Sequence, residues 1–277
     1  MLICPKCRGK LNISDASAVC VAGHSFDRSK EGYFNLLLGA GGGTHGDNAE
    51  MIKARREFLE GGFYEPLAGR LSALAAEYAP DAEAVLDAGC GEGYYTQHIA
   101  EGYRKMRGGI GSEALPRVYA FDISKEAVKR ACKRMKDISC GFAVASSYAM
   151  PISDGSVDLL VNTFSPLAIE ECRRVLRVGG IFLMAIPAEE HLFELKASVY
   201  DTPYKNTVDS PEIEGFRLLL ADRLKYTMAL DGRESIKSLF MMTPYAYRTG
   251  AVGRDRVAAL SRLDCTAHFM IFVYERL

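Results

Sequence analysis

The stretch Asp87-Ala88-Gly89-Cys90-Gly91-Glu92-Gly93 constrains the fold more than any other part of the chain. It follows the short apolar run AVLD at 84–87 and leads into a helical pattern from Tyr94 to Met106. Three glycines between an apolar strand and a helix describe a tight turn at which backbone can approach a ligand closely. The helix start beyond them is electropositive and suits an anionic group. A dinucleotide loop of the G-x-G-x-x-G form would place its third glycine at 94, where this chain has Tyr94. A phosphate-binding G-x-x-x-x-G-K-[ST] segment is also missing from the sequence.

Strand and helix patterns alternate on either side of this loop. RVYAFD (117–122), GFAVA (141–145), VDLLVN (157–162) and IFLMAIP (181–187) read as strands. Ser124 is placed to cap the helix SKEAVKRACKRMK, residues 167–177 read as a helix, and Gly179-Gly180 is expected to separate that helix from the next strand. Beyond Gly215, FRLLLADRLKYTMAL predicts a strand, SIKSLFMM a helix and AHFMIFVYE a final strand. Upstream, AEMIKARREFLE aligns Met51, Ala54, Phe58 and Leu59 on one helical face. EPLAGRLSALAAEY does the same with Leu67, Leu71, Leu74 and Ala75. The rhythm predicts an α/β fold with an open, parallel sheet covered by helices.

Length and composition narrow the class. The 277 residues are 48% hydrophobic and 25% charged, an ordinary globular mix that excludes disordered and low-complexity classes. The formal net charge of −1 does not by itself mark a nucleic-acid binder. No apolar run approaches the ~18–20 residues of a membrane span. The opening MLICPKCRGK lacks the apolar core of a secretion signal, so the chain is expected in the cytoplasm with its cysteines as thiols.

Three of the eight cysteines crowd into the first twenty residues. Cys4-x2-Cys7-x12-Cys20-x3-His24 has the ligand types and spacing of a closed tetrahedral zinc site. Four protein ligands leave no open position, so the expected role is structural. Residues 1–30 carry five basic and two acidic side chains, a local excess that suits contact with RNA. The segment ends at the glycine-rich GAGGGTHGDN (39–48), read as a linker. The expected organisation is a zinc-binding RNA-recognition module over 1–38, a linker and helical segment over 39–83, and a catalytic domain over 84–277.

The D-x-G-x-G-x-G form resembles motif I of the class I S-adenosylmethionine-dependent methyltransferases, which have a Rossmann-like, mostly parallel seven-stranded sheet. That likeness implies cofactor contacts from Asp87, Gly89, Gly91 and Gly93. It also implies ribose binding by Asp122 at the end of the second strand, and adenine recognition near Ser146 and Ser147. Taken together, the zinc pattern, FDRSKEGYFNLL, DNAEMIKARREFLEGGFYEPL, the glycine loop, VASSYAMPISDGSVDLLVNTFSP, IPAEEHLFELK and MMTPYAYR resemble the RlmA-type 23S ribosomal RNA guanine-N1 methyltransferases. This resemblance runs along nearly the whole chain. It implies a structural Zn2+ on Cys4, Cys7, Cys20 and His24, and Tyr64, Gly91, Glu92 and His191 around S-adenosylmethionine. The implied substrate is a hairpin loop of 23S rRNA, with a homodimer as a way to present two zinc modules to one RNA. In some members methylation affects antibiotic resistance. The loop Phe164-Ser165-Pro166 is expected to face the acceptor base. Leu167 and Ala168 follow it where the family commonly has a polar or basic residue.

Two other readings share these features. One is a small-molecule methyltransferase, acting on a quinone or another metabolite, for which a zinc module has no evident use. The other is a non-catalytic zinc-containing RNA-binding protein, against which the intact glycine loop and Asp122 stand. The sequence does not identify the base that removes the proton from guanine N1.

Overall fold

Strand β5 (Ala84–Ala88) is buried along its whole length. Its side chains alternate between two cores, which is why it reads as continuously apolar. Val85 joins Leu67, Leu71 and Tyr103 on one face, and Leu86 and Ala88 join Phe121, Leu160 and Phe182 on the other. The computed structural model describes residues 2–39, 48–108, 115–208 and 211–277 of the chain. The linker expected over 39–48 lies largely outside the described residues, as does most of the glycine-containing stretch RGGIGSE at 107–113.

Two parallel strands pair with it directly, β6 (Arg117–Asp122) and β8 (Val157–Thr163), and the parallel strands β7 (Cys140–Val144) and β9 (Leu176–Pro187) pair in turn with β6 and β8. β10 (Phe216–Asp231) and β11 (Arg262–Arg276) are antiparallel, and β11 lies between β9 and β10. These seven strands are the mostly parallel sheet expected of the class. An eighth comes from the N-terminal segment. β4 (Phe34–Asn35) pairs in parallel with β7, giving the order β10-β11-β9-β8-β5-β6-β7-β4 among the described residues.

α1 (Ala49–Glu60) is capped by Asn48, whose side chain accepts from the amides of Glu50 and Met51. Its buried face uses Ile52 with Ala54, Phe58 and Leu59, so Ile52 replaces the expected Met51. α2 (Glu65–Tyr78) buries the four expected residues, and α3 (Tyr94–Met106) matches its predicted bounds. α4 (Lys125–Arg134) is capped by Ser124, which accepts from the amide of Ala127. α5 (Ile169–Val175) is shorter than the expected 167–177, because β9 begins at Leu176 and runs through the glycine pair. A Cβ on Gly180 would lie 2.8 Å from the Arg177 carbonyl oxygen and 3.2 Å from that of Val157. The pairing of β8 with β9 also shifts register between Val157 and Leu159. The glycines therefore fit an irregular close approach within the strand and do not end it. The helices α6 (Phe193–Val199), α7 (Arg233–Met241), α8 (Tyr245–Arg248) and α9 (Ala251–Ala259) complete the layer around β10 and β11.

The N-terminal segment forms three short antiparallel strands, β1 (Leu11–Ile13), β2 (Ser17–Cys20) and β3 (Ser25–Asp27). It has no separate core. Leu2, Leu11, Ala18, Phe34 and Leu36 share one apolar cluster with Leu86, Phe121 and Phe182 of the large sheet. The Ile3 amide donates to the Pro151 carbonyl at 2.9 Å, and Leu36 does the same to Val144.

Candidate cofactor and metal sites

The four ligand atoms of Cys4, Cys7, Cys20 and His24 all lie within 4.8 Å of one another. His24 turns Nδ1 toward Cys4 Sγ and Cys20 Sγ, at 3.4 Å from each, and Cys7 Sγ is 3.5 Å from Cys20 Sγ. Zn–S bonds of about 2.3 Å and a Zn–N bond of about 2.0 Å, arranged tetrahedrally, put such atoms roughly 3.5–3.8 Å apart. The donor set therefore fits a four-coordinate zinc ion. Short turns make this possible: Arg8 takes a left-handed φ of 58° just after Cys7, and Gly23 takes 80° just before His24.

The second site is a cavity of about 390 Å3 at the carboxyl ends of β5, β6 and β8. Open α/β sheets bind ligands at this edge, and the volume is that of a small-molecule pocket. Gly89, Gly91, Glu92, Asp122, Ser146 and Ser147 line it, together with Arg55, Tyr95, Thr163 and Phe164.

The glycines have different reasons to be there. Gly89 has a φ of 84°, and a side chain on it would collide with the Ser165 hydroxyl. Gly91 has a φ of 55° and nothing within 4 Å of where its Cβ would be, so its backbone faces open cavity. Gly93 begins α3 and packs against Ala131 of α4. The cradle at Gly91 is the feature that fits S-adenosylmethionine, whose methionyl carboxylate suits the start of α3.

Asp122 accepts from the amides of Gly91 at 3.0 Å and Ser124 at 2.7 Å, tying the end of β6 to the glycine loop. Glu92 is buried and meets two guanidinium groups, Arg56 Nε at 3.0 Å and Arg134 Nη2 at 2.7 Å. It thereby joins α1 and α4 to the loop. Asp87 lies beneath the loop and outside the cavity lining. Burial pushes its carboxyl up to about 7, while the Thr96 hydroxyl, donating at 2.5 Å, pulls the other way.

Tyr64 and His191 also stand behind the cavity wall. The Tyr64 hydroxyl is 3.1 Å from His191 Nε2, and both side chains are buried. Neither lines the cavity, but Phe164, which does, packs near both, with its ring 6.3 Å from Tyr64 and 6.5 Å from His191. Burial, followed by the charge of Lys196, lowers the His191 pKa to about 3, so the ring is neutral at ordinary pH. The His268 amide donates to His191 Nδ1 at 3.3 Å. The proton is therefore assigned to Nε2, which donates to the Tyr64 oxygen. With its one lone pair engaged, His191 is not a general base in this arrangement.

The structure thus brings six of the ten expected cofactor residues to one cavity, and sets Tyr64, Asp87, Gly93 and His191 around it. The sequence reading did not single out Tyr95 or Thr163. The available signal was the second tyrosine in the first turn of a helix that starts at the glycine loop.

A methyltransferase-domain model matches residues 80–232, and a model of the RlmA N-terminal zinc ribbon matches residues 2–38. The chain is 37% identical over 213 residues to a Micromonospora griseorubida protein provisionally named a 23S rRNA (guanine-N(1)-)-methyltransferase; the match covers 70% of this chain and 68% of that one. A Bacillus subtilis protein with the same provisional name is 30% identical over 273 residues, covering 95% and 92%. The 23S rRNA (guanine(748)-N(1))-methyltransferase of Streptomyces fradiae is 35% identical over 202 residues, covering 70% and 66%.

Proposed function

The chain belongs to the RlmA-type 23S rRNA (guanine-N1-)-methyltransferases, and from that premise we propose that it methylates N1 of a guanine in a hairpin loop of 23S rRNA. The observation that carries this reading is the joining of two sites in one molecule. A cavity built on a D-x-G-x-G-x-G loop shares its sheet, through β4 and a common apolar cluster, with a ribbon that presents a zinc donor set. Binding a small metabolite does not require such a ribbon. Its exposed Lys6, Arg8 and Lys10 suit a phosphate backbone.

S-adenosylmethionine, when bound, supplies a methyl group already activated on a sulfonium. The chain's own task is chiefly alignment. Gly91 leaves room for the cofactor along the glycine loop, Asp122 is placed for its ribose, and Ser146 and Ser147 for its base. Tyr64 and His191 form a fixed neutral pair near Phe164. Guanine N1 lies on the Watson–Crick edge, so the target base has to be unpaired or flipped out. A hairpin loop meets that need.

The decisive experiment follows labelled methyl from S-adenosylmethionine into unmodified 23S rRNA and identifies the product nucleoside and its position. The expected product is 1-methylguanine at one hairpin position. Tight cofactor binding with no incorporation into RNA would overturn the reading in favour of a small-molecule acceptor.

A further inference from the structure

We propose that Phe164 is the surface on which the acceptor base stacks, and that the Tyr95 hydroxyl donates a hydrogen bond to O6 of that base. The proposal deepens the reading above and rests on it.

Phe164 sits immediately beyond β8, lines the cavity, and is 40% exposed. Its φ is 59°, one of three positive values among the described non-glycine residues. A bulky residue held in left-handed backbone requires surroundings that fix it, and such residues cluster at functional sites. The surroundings are visible. The Phe164 amide donates to the Ala185 carbonyl at 3.1 Å, and the buried Asn162 amide donates to the Pro166 carbonyl at 3.3 Å. Ser165 occupies the space that a side chain at position 89 would take. The loop carrying Phe164 is thus seated directly on the loop that faces the cofactor, and methyl transfer needs donor and acceptor at that distance.

Tyr95 and Thr163 supply the second observation. Both line the same cavity, and the hydroxyl of each is buried without a hydrogen-bond partner among the described residues. Two such atoms in one cavity point to a polar ligand. The Tyr95 ring is 6.2 Å from the Phe164 ring and inclined at 75°. A base lying parallel to Phe164 therefore stands nearly perpendicular to Tyr95 and presents an edge to it. Burial raises the Tyr95 pKa well above its usual value, so the phenol is a donor and not a base.

The chemistry assigns that donor a use. Guanine N1 loses its proton to water, and the electron pair left behind is shared with O6. The N1–C bond forms as the S–C bond of the sulfonium breaks, giving 1-methylguanine, S-adenosylhomocysteine and a proton. A hydrogen bond aimed at O6 stabilises the charge that develops there.

The test compares wild type, Phe164→Ala, Phe164→Tyr and Tyr95→Phe on unmodified 23S rRNA, with S-adenosylmethionine affinity measured by calorimetry. Phe164→Ala should raise the RNA KM about tenfold, and Phe164→Tyr should restore it, with cofactor affinity unchanged in both. Tyr95→Phe should lower kcat by about tenfold or more and move the rising limb of the pH–rate profile to higher pH, again with cofactor affinity unchanged. Loss of cofactor affinity that matches the loss of rate would overturn the proposal and make these residues cofactor contacts. Unchanged kcat and KM would overturn it as well. Wild type that forms no 1-methylguanine would instead defeat the functional reading itself.

Discussion

The ribbon and the sheet it docks on solve the same problem by opposite means. The three strands of the ribbon have three, four and three residues, and its apolar side chains belong to a core supplied mainly by the larger sheet. What is its own is a set of four metal ligands held within 4.8 Å of one another. The sheet has strands of up to 16 residues and apolar clusters on both faces. It carries groups that cost stability, including a buried carboxyl at Asp87 and a left-handed backbone at Phe164. The lesson is that the two regions should respond to different agents, metal for one and pH for the other.

The largest expected effect concerns the metal. Structural zinc contributes on the order of 10 kcal/mol to the folding of small metal domains. Cys4→Ser should abolish stoichiometric zinc and expose residues 2–38 to protease, while the large sheet keeps a cooperative melt. A ribbon that stays protected without metal would break the comparison, because the shared core would then suffice.

Asp87 comes next. Its folded pKa, about 7, is raised above the ordinary carboxyl value of 3.8, so the native state binds the proton more tightly than the unfolded chain. Its contribution is fully present below about pH 4 and is lost as pH rises through 7. Asp87→Asn should therefore gain stability relative to wild type as pH rises from 5 to 8, by up to a few kcal/mol. Urea titrations at the two pH values measure this, and a difference independent of pH would refute it. Glu92→Gln should cost about 2 kcal/mol, since it removes the buried carboxylate from Arg134 and Arg56, although both keep Glu60 as a partner. The midpoint of urea unfolding tests that figure. The smallest effect is expected at Arg8→Ala. The Arg8–Asp154 pair is exposed, and Asp154 keeps Arg174 as a partner, so the loss should be about 0.5 kcal/mol or less. A larger loss would mean that an ion pair, and not strand pairing, docks the ribbon.

Features set by local chemistry were legible in the sequence. The glycine loop, the helix beginning at Tyr94, the Ser124 cap and the four zinc ligands all depend on neighbours close in the chain. Features set by distant partners were not. β4 is two residues long and exists because Val144 lies beside it. The pair Gly179-Gly180 looks like a break, yet the strand continues because β8 accommodates it. In the site, Asp122 and the glycines carry a recognisable pattern, while Tyr95 and Thr163 matter through the absence of partners, which no local pattern records.

The position of β11 also bears on how the chain is made. Synthesis runs from β9 to β10 to β11, yet β11 is the strand that lies between the other two. While residues 188–261 emerge from the ribosome, the edge of β9 that β11 will cover has no partner. Such an edge can recruit other strands. The sheet is therefore most open to aggregation late in translation, after the ribbon has all the residues it needs to close.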